Sequence, residues 1–168
     1  MKPDKYLVID FEATCCDQGT IAPDQMEIIE IGAVMVDAGD LRPVDAFQSF
    51  LRPVRFPTLT SFCTALTSIR QEDVDGAPSF AGFISAFKRW LYQYSGFVFC
   101  SWGDYDLKQL KQDCAFHDLP YPIGGPHVNV KRAFAGTHHR GIDDARNIAR
   151  LLPYIFGDAR LPASRSAT

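Results

Sequence analysis

The chain has no CxxC pair, and its cysteine count is odd: Cys15, Cys16, Cys63, Cys100 and Cys114. That pattern argues against both a disulfide framework and a zinc site, and reduced thiols are expected. A long hydrophobic run is also missing. Lys2 and Lys5 precede only a short apolar stretch that Asp10 interrupts, which excludes a secretory core region and a membrane span of about 20 residues. No membrane association is expected, and a cytoplasmic location is the default. The sequence has no internal repeat and no excess of basic charge: its net charge is -3, whereas non-specific nucleic-acid binding usually rests on surplus Lys and Arg. At 168 residues and 46% hydrophobic content, a single domain can bury about 70% of its unfolded surface.

The most informative segment is Asp10-Phe11-Glu12-Ala13-Thr14, directly after the apolar run Tyr6-Leu7-Val8-Ile9. Residues two apart on a strand share a face about 7 Å apart, so Asp10 and Glu12 can reach one shared charge. Two carboxylates held that close need a cation. Downstream come Asp106, after the apolar run Phe97 to Cys100, and then His139 and Asp144 within HHRGIDDARNIARLL. Four acids and a histidine in this pattern fit a two-metal site for phosphodiester hydrolysis, where hard Mg²⁺ or Mn²⁺ suits carboxylate oxygen. Such ions would bring the loaded site close to neutral, so the acidic net charge is no obstacle.

DFEAT, then YD within SWGDYDL, then H-x-x-x-x-D resembles the DEDDh 3′-to-5′ exonucleases over most of the chain. DFEATC, FCTALTSIRQEDVDGAPSF and DDARNIARLL are most similar to the histone-mRNA and enhanced-RNAi exonucleases and their sporulation-inhibitor-type relatives. The resemblance implies an α/β, ribonuclease-H-like layered fold with a mixed central sheet flanked by helices. It implies two Mg²⁺ (or Mn²⁺) ions per site. Asp10 would bridge them, Glu12 and Asp144 would complete the shell on the nucleophile side, and Asp106 would act on the second ion through water. It also implies His139 as general base, a role that suits an imidazole titrating near neutrality. Phe11, Ala13 and Thr14 would contact the terminal nucleotide. Tyr105 and Trp102 can stack on a base, with packing the favoured role for Trp102.

Two choices are not made by spacing alone. Asp104 lies two residues before Asp106, and His138 precedes His139, each histidine five residues ahead of an aspartate (Asp143 and Asp144). The family pattern selects Asp106, directly after an aromatic, and the His139/Asp144 register. Asp106 can also cap the helix that follows it. Lys108, Lys111, Lys131, Arg132, Arg140 and Arg146 are candidates to track phosphates.

The strands expected are Tyr6 to Phe11, Ile28 to Val36, Phe47 to Leu51 and Phe97 to Ser101, with a short fifth near Val128 to Val130. The second and third form an antiparallel meander around a turn at Ala38-Gly39-Asp40, and 18–25 reads as a loop. Helices are expected over Ser79 to Tyr94, from near Asp106 through Cys114, and over Gly141 to Leu152. The exonuclease domain would then occupy 1–157, with 158–168 a mobile tail. The substrate expected is single-stranded nucleic acid with a free 3′ end, RNA favoured, releasing nucleoside 5′-monophosphates. A DNA exonuclease of the proofreading or repair type, a small-nucleotide hydrolase and a catalytically silent binding module are the alternatives. Physiological substrate, processivity, oligomeric state and recruiting partner are not legible in these residues.

Overall fold

The computed structural model describes residues 3–133. The expected helix at 141–152, the tail at 158–168, and His138, His139, Asp143 and Asp144 lie outside the described residues.

Five strands form one mixed sheet: β1 (Lys5–Ala13), β2 (Ile28–Asp37), β3 (Pro43–Phe50), β4 (Phe97–Ser101) and β5 (His127–Asn129), in the order β3-β2-β1-β4-β5. The first three pair antiparallel, as the short turn between β2 and β3 requires. β4 joins β1 in parallel after a helical crossover, and β5 joins β4 in parallel. The third strand starts earlier than its apolar residues suggested. Pro43 supplies no N–H, which an edge strand tolerates at its first position.

β1 alternates strictly. Leu7, Ile9, Phe11 and Ala13 are buried, while Val8 and Asp10 are exposed and Glu12 is half-buried. The buried face meets α3 (Phe80–Leu91) and α4 (Tyr105–Phe116). α3 begins where the Ser79 side chain accepts from the Gly82 N–H (3.3 Å) and caps the helix. Its Phe83, Phe87 and Trp90 rings lie 5.4–6.4 Å from Phe47 of β3. The Asp45 carboxylate secures that contact, accepting from Trp90 Nε1 (2.7 Å) and the Tyr94 hydroxyl (2.5 Å).

One irregularity shapes the end of β1. Glu12 faces Glu30 but Ala13 faces Ile28, so Ile29 is an extra residue on β2. This bulge sends Ile28 into the main core and Ile29 into a second cluster with Cys63, Ile69 and Val74. That cluster belongs to two short helices the sequence did not reveal, α1 (Ser61–Thr67) and α2 (Gln71–Asp75). Thr60 caps α1 through the Cys63 N–H, and its own hydroxyl donates to the Cys15 carbonyl (2.6 Å), fastening the helix beside the end of β1. The expected loop at 18–25 contains one 3₁₀ turn, Pro23–Gln25.

Candidate active site

β1 pairs with β4 only over Lys5–Val8, so past Val8 its edge on that side lacks a strand partner. Asp106, in the first turn of α4, fills the gap. Its side chain is buried, and Oδ1 accepts the Phe11 N–H at 3.0 Å. The chain thus brings Asp106 to the strand segment that carries Asp10 and Glu12.

Glu12 feels both Asp10 and Asp106, and Asp106 feels Asp10. Burial first, then the charges of Asp10, Glu30 and Asp106, push the Glu12 carboxyl above its usual range. Asp106 is also raised, by burial and by Asp10, against the opposing pull of the Phe11 N–H. Clustered acids that raise one another's affinity for protons are a donor set suited to a hard divalent cation. Among the described residues no three Asp, Glu, His or Cys side chains close into a cage by themselves.

Asp104, the rival of Asp106, is engaged elsewhere. It accepts from Asn129 Nδ2 (2.9 Å) and pairs with Arg132 (2.8 Å), with His127 Nδ1 at 4.0 Å. Arg132 is correspondingly committed to this contact. Phe11 and Ala13 point into the core face, and their backbone is the part presented at the strand edge. Thr14 is buried, with Oγ1 accepting from the Glu27 N–H (2.9 Å). Tyr105 is 47% exposed, yet its phenol is pushed up to about 12, by burial and then by Asp106, Asp113 and Glu12. With Lys108, Gln109, Gln112, Pro23 and Asp24 it lines a shallow cavity of about 300 Å³. Trp102 is 57% exposed, so the packing role expected for it uses less than half of its surface.

Two supporting acids escaped the sequence reading. Glu27 is buried and accepts three backbone N–H groups, from Val54, Arg55 and Phe56 (2.7–3.2 Å). Asp113 is buried on α4, where Oδ2 accepts from the Ile28 N–H (2.7 Å) and Oδ1 from Gln109 Nε2 (3.1 Å). Together they tie α4 and the 54–56 segment to the start of β2. A signal for Asp113 existed: Asp106, Gln109 and Asp113 fall at helical spacing on one face, and all three are buried.

Burial, aided by Glu27 and opposed by the Ile28 N–H, Gln109 and Arg55, raises the Asp113 carboxyl to about 7. An unfolded aspartate titrates near pH 4. Between those values the folded chain keeps a proton that the unfolded chain has released, so this group makes stability fall as pH rises from about 4 to 7. Asp113→Asn retains an acceptor for Ile28 without the charge. Urea unfolding at pH 5 and pH 8 should show a smaller loss of stability for the variant than for the wild type, by up to a few kcal/mol. Equal losses in the two proteins would refute this assignment.

A mixed sheet with its acids at the end of the central strand and at the first turn of the helix after its parallel neighbour β4 defines a nuclease of ribonuclease-H-like fold. Residues 7–122 match the family model described as Exonuclease (RNase_T). "Probable 3'-5' exonuclease KapD" of Bacillus subtilis is 32% identical over 94% of this chain and 87% of its own length. Human ERI1 exoribonuclease 3 is 33% identical over 88% of this chain, which spans only 52% of that relative. Among solved structures, the nuclease domain of 3'hExo, a DEDDh family member bound to rAMP, superposes with TM-score 0.71 at 26% identity, covering 99% of this chain and 98% of that one. The chain belongs to the exonuclease family, in its DEDDh 3′-to-5′ branch. It is an enzyme that hydrolyses phosphodiester bonds, and membership implies divalent metal ions.

Proposed function

We propose that the substrate is single-stranded RNA with a free 3′ end, shortened one nucleoside 5′-monophosphate at a time, and that two Mg²⁺ or Mn²⁺ ions serve the site. The observation that carries this reading is the gathering of Asp106 against the Asp10/Glu12 segment through the Phe11 N–H. When bound, such ions would supply the charge that activates water and stabilises the leaving 3′ oxygen. Asp10, Glu12, Asp106 and Asp144 would hold them, and His139 would take the proton from the attacking water. Phe11, Ala13 and Thr14 would seat the terminal nucleotide, with the open face of Tyr105 available for a base.

The preference for RNA is supported by relatives: ERI1 exoribonuclease 3 is named for that activity, and one similar structure, at 25% identity and TM-score 0.72, shows a 3'-exonuclease recognising a histone mRNA stem-loop. No helix among the described residues is long and apolar enough to cross a membrane, and a cytoplasmic site of action belongs to the same proposal.

A 5′-labelled RNA oligonucleotide incubated with Mg²⁺ should give a descending ladder, abolished by EDTA. A 3′-phosphorylated or circular strand should resist. Rapid cutting of the circle would replace this reading with an endonuclease on the same fold, whereas equal rates on DNA would remove only the preference for RNA.

A further inference from the structure

Three of the five cysteines collect where β1 ends. The Cys15 side chain packs against the cluster that holds Cys63 and feels its thiol, joining the chain just past Thr14 to α1. The Cys63 thiol also reaches the Ala13 carbonyl (3.6 Å). Both belong to the small apolar cluster around Ile29, in which Cys63 is fully buried. Cys16 is placed differently. Its sulfur accepts the Ile21 N–H at 3.1 Å and lines a cavity of about 190 Å³ with Asp17, Gln18, Thr20, Thr60 and Ser61. Cys100 and Cys114 are buried elsewhere.

We propose that this cluster is an oxidative modification site in which a peroxide enters at Cys16 and the reaction ends in a Cys15–Cys63 disulfide. The environments divide the work. Hydrogen bonds from Thr20 and the Ile21 N–H lower the Cys16 pKa, which favours the thiolate that attacks peroxides, while burial and Cys63 push Cys15 up to about 12. The Cys16 sulfur attacks the peroxide, forming S–O as O–O breaks, and one water leaves. Cys15 sulfur then displaces the hydroxyl of the Cys16 sulfenic acid, releasing a second water with the Cys15 proton. Finally Cys63 attacks the Cys15 sulfur, and Cys16 departs as a thiolate that takes the Cys63 proton. In sum, two thiols are oxidised and one hydrogen peroxide is reduced to two waters.

The test uses the full chain, exposed to hydrogen peroxide, digested without reductant and mapped by tandem mass spectrometry. A crosslink between Cys15 and Cys63, cleaved by dithiothreitol, is expected. Cys16→Ser should slow its formation at least about tenfold, since the thiol that meets the peroxide is gone. Cys63→Ser should abolish the crosslink and stop the sequence at a Cys15–Cys16 disulfide within one peptide, reopened by dithiothreitol. Because Cys63 is buried, the Cys16→Ser rate decides the matter if Cys63→Ser fails to fold. No crosslink in the wild type, a bond from Cys63 to Cys16, or closure as fast in Cys16→Ser as in wild type would overturn the proposal.

Discussion

Asp10→Asn is expected to lower kcat by at least about 10³, equivalent to about 4 kcal/mol of barrier, while leaving the fold intact. Asp10 is exposed on the face of β1 opposite the core, so its removal disturbs no packing. The measurement is single-turnover hydrolysis of a labelled RNA strand beside a urea unfolding curve. A variant that keeps more than about a tenth of the activity would show that Asp10 does not hold the ions. Asp106 makes an instructive contrast. Its carboxylate also serves the Phe11 N–H, so Asp106→Ala should lose activity and additionally about 1–3 kcal/mol of stability, the usual cost of a buried donor left unmet.

His139→Ala should reduce turnover by about 10² to 10⁴, the range general-base catalysis supplies, with metal affinity largely retained, because a base acts on bound water and is not a required ligand. His138→Ala should be mild. Calorimetry with Mn²⁺ separates loss of chemistry from loss of metal. Where chemistry limits turnover, the wild-type rate should rise with pH through about 6 to 7 as an imidazole releases its proton, and His139→Ala should lose that limb. If His138→Ala does more damage, the register is off by one and Asp143 replaces Asp144 as the fourth acid.

The strands and α3 were readable because alternation and three-and-four spacing persist over enough residues to declare themselves, as in Leu7-Ile9-Phe11 and Phe80-Phe83-Phe87. α1 and α2 were not, because helices of seven and five residues hold too few turns for a period to emerge. The pairing of Asp10 with Glu12 followed from strand geometry alone. The choice of Asp106 over Asp104 did not: it needed the family pattern, and the physical support for it is tertiary, since β5 supplies the Asn129 that occupies Asp104. Glu27 was invisible for the same reason. Its three N–H partners come from a segment 27 to 29 residues away, and no local signal marks a carboxylate that will be enclosed by a distant loop.

Glu12 and Glu30 stand directly opposite on neighbouring strands, an arrangement that weakens a sheet. Gln48 steadies only the Glu30 side (2.6 Å). A divalent cation held where we propose would draw off that repulsion, and by mass action its binding energy would add to the folding energy. Thermal tolerance then becomes a property of the buffer as much as of the sequence. Two samples of the same chain, one purified through a chelator and one not, should melt at different temperatures, and the difference could pass for a mutation.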